Sequence, residues 1–91
     1  MKEKLVRDKI PLQVPGEYRK CNSEEKHKLL RKKLVEEAIE YLIDPSPEEL
    51  ADVLEVVLEL LKINGPKVID ALIEKRALRG AFEDCWTMRT D

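Results

Sequence analysis

Two pairs of acidic residues, Glu37-x-x-Glu40 and Glu49-x-x-Asp52, flank a break that reads Asp44-Pro45-Ser46-Pro47. The i, i+3 spacing puts the two carboxylates of each pair on one side of a helix. The proline-rich break is a helix–helix turn, because the residue before a proline is pushed out of the helical region. If the two helices fold back on each other, four carboxylates converge. Four like charges so close raise one another's pKa and repel. A hard divalent cation relieves that repulsion, and an all-oxygen set of this kind suits Mg²⁺ or Mn²⁺.

The elements that must position these acids are helical. A first helix starts at Asn22, an N-cap with Glu25 at N3 in an asparagine version of the capping box, and runs to about Ile43. Projected at about 100° per residue, Leu30, Leu34, Ala38 and Tyr41 form one stripe, with Glu37 inside it and Glu40 at its edge. Glu36 points further round, toward solvent or a neighbour. A carboxylate on the core-facing side is expensive unless its charge is compensated. The second helix has Ser46 as N-cap, Pro47 at N1 and Glu49 at N3, and continues to about Ile63, ending at Asn64-Gly65. Its apolar arc is wide: Leu50, Leu54, Val57, Leu58 and Leu61 form one face, and Val53, Val56, Leu60 and Ile63 extend it toward Glu49 and Asp52. A helix apolar over so much of its circumference is buried on two sides, the second most simply by another subunit. Pro66 opens a third helix through Arg79, closed by Gly80.

Helix rise supports convergence. In an antiparallel hairpin Glu40 falls level with Glu49, and Glu37 with Asp52, at about 1.5 Å per residue. From spacing alone the two acidic pairs fit a solvated surface as well as a cation site. Glu37 within the apolar stripe tips the balance toward the cation site.

The expected architecture is all-α, a single domain over residues 1–91: a small antiparallel helical bundle built on the hairpin and completed by oligomerisation as a homodimer or homotetramer. Short extended segments are expected at both ends, residues 4–10 and a strand-like tail over 82–88 that pairs with them. Charged residues make up 40% of the chain with both signs mixed and a net charge of −2, which argues against a nucleic-acid binder held by electrostatics. No apolar run approaches the roughly 20 residues of a membrane span. Met1-Lys2-Glu3-Lys4 leads into no apolar signal region, so a cytoplasmic location is expected. Cys21 and Cys85 are distant in sequence and fit free thiols better than a disulfide framework.

Lys33-Leu34-Val35-Glu36-Glu37-Ala38-Ile39-Glu40, followed by Glu49-Leu50-Ala51-Asp52, resembles the MazG-like all-α nucleoside triphosphate pyrophosphohydrolases, whose signature is EExxE, a spacer, then ExxD. Leu5-Val6-Arg7-Asp8-Lys9-Ile10-Pro11 is similar to the LVRDKIP start of one branch, which also resembles phosphoribosyl-ATP pyrophosphohydrolases. Lys75 with Arg79-Gly80-Ala81-Phe82 resembles that branch's K…RGGF. The matches follow the right order along nearly the whole chain. The resemblance implies that Glu37, Glu40, Glu49 and Asp52 hold Mg²⁺, with Glu36 and Glu37 as catalytic acids, Glu36 in an accessory role. It implies Lys75 and Arg79 as groups that bind substrate phosphates, with Arg7 and Lys9 as further candidates. The implied reaction is Mg²⁺-dependent hydrolysis of a nucleoside triphosphate to monophosphate and pyrophosphate, with house-cleaning of non-canonical nucleotides as a role. The alternatives are a phosphoribosyl-ATP pyrophosphohydrolase and a non-catalytic helical interaction module. Two features depart from the family pattern: the spacer of eight residues, 41–48, is short, and Ala81 stands where the branch has glycine.

Three other features read as structural. Glu24-x-x-His27 has di-iron spacing, but this is the chain's single histidine and such sites need two motifs. Trp86 reads as a packing residue rather than a base-stacking one. The Lys26–Lys33 cluster reads as a solvated helix face, some of which could meet incoming phosphates.

Overall fold

A computed structural model describes residues 3–91 and contains four helices: α1 (Ile10–Gln13), α2 (Ser23–Ile43), α3 (Pro47–Asn64) and α4 (Lys67–Arg79). The fold is all-α, as the periodicity predicts, and the three long helices start and stop where their capping residues place them. At the start of α2, Glu25 donates its amide to Asn22 Oδ1 at 2.8 Å, and Asn22 returns its own amide to Glu25 Oε1 at 3.2 Å. Both halves of this capping box are therefore made. Pro47 occupies the first turn of α3, where a missing N–H costs nothing. Gly65 and Gly80 end α3 and α4 at φ of 70° and 77°, a region where a Cβ would be strained.

Among the described residues, helices α2 and α3 form the one extensive packing, an antiparallel hairpin closed by Asp44-Pro45-Ser46. The face of α2 turned to α3 carries Leu30, Leu34, Glu37 and Tyr41 at helical spacing, with Leu30 and Glu37 buried. Ala38, expected in this stripe, lies outside it and is exposed, since the stripe runs through Glu37 instead. From α3 the buried side is the one carrying Glu49, Asp52, Val53, Val56 and Leu60; the Leu50, Leu54, Val57 and Leu58 side is open. Lys26 Nζ reaches Glu59 Oε2 at 3.2 Å across the far end of the hairpin. Helix α4 touches α3 slightly and α2 not at all.

The terminal segments differ from expectation. Among the described residues there is no strand, and residues 4–10 and 82–88 do not pair. Asp8-Lys9 make a turn, and Pro11 near the start of Ile10–Gln13 favours one helical turn over an extended run. The N-terminal segment is held to the hairpin by charge: Arg19 bridges Glu3 at 2.9 Å and Glu25 at 2.7 Å. Cys21 is half-buried and Cys85 exposed, both as free thiols. Among the described residues no helix is long and apolar enough to cross a membrane. Met1-Lys2, the first part of the expected leaderless start, lies outside the described residues.

Asn22→Ala removes one complete box, and is expected to lower stability by about 1 kcal/mol, read as a lower urea midpoint at fixed chain concentration. An unchanged midpoint would show that the α2 cap does not contribute to the stability of the hairpin.

Candidate metal centre

Glu37 is the residue around which the acids gather. It leaves α2 into the seam with α3 and is only 6% exposed. One carboxylate oxygen each from Glu37, Glu49 and Asp52 lies within 4.8 Å of the other two, and the same holds for Glu36, Glu37 and Glu40. Glu37 is common to both groups. The spacing predicts one gathering of Glu37, Glu40, Glu49 and Asp52; the structure instead has two groups of three that share Glu37, with Glu40 in one and Glu49 and Asp52 in the other. Interlocking helix surfaces seat a seam residue between two residues of the facing helix, so Glu37 meets both Glu49 and Asp52. Glu40 is three residues on, about 60° out of the seam, and is exposed beside Glu37. Glu36, expected to point away, is half-buried and belongs to the second group.

The start of α3 explains why Glu49 is free to join. Its amide donates to Ser46 Oγ at 3.3 Å, as an N-cap requires. The second half of the expected capping box is not made. Ser46 donates its amide to the Asp44 carbonyl at 2.8 Å, within the turn, and the Glu49 carboxylate goes into the seam. Glu37 Oε2 and Glu49 Oε2 are both buried without a hydrogen-bond partner. A buried carboxylate oxygen left without a donor is costly. Two of them in one oxygen-only cluster are what a divalent cation would satisfy, and the donor set fits Mg²⁺ or Mn²⁺.

Internal cations neutralise only part of this charge. Lys33 Nζ lies 3.2 Å from Glu37 Oε1 and 3.6 Å from Glu36 Oε1, one turn back along α2. Arg7 brings the N-terminal segment onto α3, donating to Asp52 Oδ1 at 2.5 Å and lying 3.8 Å from Glu55. Five carboxylates therefore face two resident positive charges. The remaining excess falls on Glu40. Its carboxyl is pushed above the ordinary value of 4.5, first by the adjacent Glu37 carboxylate, then by desolvation and the charges of Glu49 and Glu36.

Beside the acids runs a groove of about 660 Å³ between the N-terminal segment and α2. Lys4, Lys32 and Lys33 line it together with Leu5, Leu29 and the acids Glu3 and Glu36. Part of the basic cluster expected as a solvated face thus borders the centre, and Lys33 belongs to it outright. Its i, i+3 and i, i+4 spacing to Glu36 and Glu37 is the signal that could have found it. Arg7 carries no such local signal, since its partner is distant in sequence. Lys9 sits in the turn before α1, exposed. Lys75 and Arg79 lie on α4, which makes no contact with α2, so one chain does not bring them to Glu37. Together with Ala71, Glu74 and Leu78 they border a separate shallow hollow of about 280 Å³. His27 is half-buried on α2 and belongs to neither acidic group.

Two outcomes follow from this charge balance. Because the folded-state pKa of Glu40 is raised, the folded chain holds its proton more tightly than the unfolded chain does. Its contribution to stability therefore grows as pH falls from neutrality toward 4.5. Added Mn²⁺ should accordingly raise the melting temperature most near pH 7 and progressively less toward pH 5; a Mn²⁺ effect independent of pH would contradict a site that includes Glu40. Lys33→Met should enlarge the Mn²⁺-induced rise relative to the parent chain, because it removes the resident counter-ion of Glu37. An equal or smaller rise would show that Lys33 does not compete for the cation's place. No family model, curated protein or solved structure matches the chain.

Proposed function

We propose that the chain hydrolyses nucleoside triphosphates to nucleoside monophosphate and pyrophosphate with Mg²⁺, acting on non-canonical nucleotides as a house-cleaning enzyme. The observation that supports this most directly is the pair of buried, partnerless oxygens, Glu37 Oε2 and Glu49 Oε2, within an all-carboxylate cluster. The likeness of the acidic motif to the MazG-like pyrophosphohydrolases supplies the reaction class.

In this reading Glu37, Glu40, Glu49 and Asp52 hold Mg²⁺, for which Mn²⁺ can substitute. When bound, the cation offsets charge developing on the phosphates and acidifies a water. Glu36, half-buried and lining the groove, takes the proton of the attacking water. Attack at the α-phosphorus breaks its bond to the bridging oxygen, and pyrophosphate leaves. The Lys4, Lys32 and Lys33 ammonium groups give the groove its positive side for the triphosphate. Arg7 and Lys9 add to it from the N-terminal segment, Arg7 exchanging its contact with Asp52 for a phosphate oxygen. Lys75 and Arg79 contribute in so far as α4 meets an acidic centre.

A second reading, a non-catalytic helical interaction module, is favoured by Lys33 and Arg7 as internal counter-ions and by the extent of uncovered apolar surface. Pyrophosphate release, measured with Mg²⁺ over canonical, deoxy and modified nucleotides and phosphoribosyl-ATP, separates the two. Glu37→Gln is expected to lower turnover by at least about 100-fold while helical content is kept. Retained turnover in Glu37→Gln would remove the metal assignment. Turnover of none of these substrates by the parent chain would leave the interaction module.

A further inference from the structure

The groove beside the acids has two walls, and only one of them belongs to the hairpin. Lys32 and Lys33 stand on α2, whereas Glu3, Lys4 and Leu5 come from the N-terminal segment. Among the described residues, residues 3–6 make no hydrogen bond between backbone groups, and Leu5 and Val6 are only half-buried. The position of this second wall therefore depends on ion pairs. Arg7 fixes the segment at the acidic end, on Asp52. Arg19 fixes the other end. Its Nε and Nη2 donate to the two oxygens of Glu3, both at 2.9 Å. Nη2 also donates to Glu25 Oε2 at 2.7 Å, in the first turn of α2. A single exposed ion pair contributes little, but a planar fork held by two carboxylates restricts both of them. The loop that carries Arg19 is folded on itself. Tyr18 donates its hydroxyl to the Val14 carbonyl at 2.8 Å, and a Cβ at Gly16 would come within 3.2 Å of that hydroxyl.

We infer that Arg19 is a positioning residue for an anionic ligand: through Glu3 it holds Lys4 across the groove from Lys32, so that a polyphosphate is gripped from both walls. The charge balance of the groove supports this. Arg19 neutralises Glu3 and Lys33 lies against Glu36, so both acids of the lining have a counter-ion. Lys4 and Lys32 make no ion pair among the described residues, and they are left as the uncompensated charges, one on each wall. Arg19 itself lies outside the lining and acts only through Glu3. A lysine in its place could not copy the fork, because an ammonium is a point charge. The inference rests on the reading of this groove as the seat of the triphosphate.

Glu3→Gln tests this by sign. As a plain change of charge it removes a negative group from the groove and tightens anion binding. As loss of the clamp it frees the Lys4 wall and weakens binding. The probe is inorganic tripolyphosphate with Mg²⁺, titrated calorimetrically into the full chain. Glu3→Gln and Arg19→Gln are each expected to weaken its binding about five-fold, with no further loss in the double variant, since both break one link. Lys20→Gln removes a positive charge from the neighbouring exposed residue and should change binding by less than about two-fold. Helical content should stay unchanged, because the Asn22–Glu25 cap is untouched. In nucleoside triphosphate turnover, Glu3→Gln and Arg19→Gln should raise KM and leave kcat nearly constant. Tripolyphosphate binding by Glu3→Gln as tight as by the parent chain, or tighter, overturns the inference. So do losses that add in the double variant, and so does a parent chain that does not bind the probe. A parent chain that binds tripolyphosphate with the expected response to both variants, yet turns over no nucleotide, would sink the hydrolase reading and leave the role of Arg19 standing.

Discussion

The structure turns on one buried carboxylate. Glu37 lies in the seam of the α2–α3 hairpin among Leu30, Leu34 and Tyr41, where an uncompensated charge is strongly unfavourable. The neighbouring features all bear on that burial. Lys33 reaches it from the preceding turn, and Glu49 and Asp52 crowd it from α3. Arg7 draws the N-terminal segment over to relieve Asp52, and Glu40 yields by holding its proton more tightly. Replacing Glu37 by a leucine would give a tidier hairpin. The burial of Glu37 is costly to the packing of the hairpin, the pattern that marks a candidate for chemistry rather than for stability.

Much of this was legible in the sequence because it rests on local rules. Asn22 with Glu25, Ser46 with Pro47, and the glycines at 65 and 80 bounded the helices, and each acts through neighbours in the chain. The approach of Glu37 to Glu49 and Asp52 was legible because a short turn between two helices leaves little freedom in height. Other features were not. Helix α3 is apolar around most of its circumference, so periodicity could not decide which side would face α2 and which would stay open. The pairing of residues 4–10 with 82–88 had only residue preference behind it, and long-range strand contacts are the kind such preference fixes least. Arg7 on Asp52 is a contact across the sequence, invisible to any local pattern.

The division of labour along the chain is uneven. The hairpin carries the acids and the buried side chains, and the N-terminal segment supplies cations to them. Helix α4 and the tail contribute neither within one chain, although they hold Lys75, Arg79, Phe82 and Trp86. Two glycines in positive-φ conformations bracket α4, Gly65 where the chain leaves α3 and Gly80 where α4 ends.

The half-made cap at Ser46 gives the brevity of the 41–48 connection a different meaning. With Asp44 so close, the Ser46 amide is satisfied by a carbonyl two residues back, and the Glu49 side chain is released from local duty. In the complete box at Asn22 the equivalent glutamate is spent on the backbone and on Arg19. The same N3 glutamate is thus a fastener on one helix and a ligand candidate on the next, and the tightness of the preceding turn selects between the two. A compact connector here is a way of freeing one more carboxylate for the seam, rather than a truncation of a longer loop.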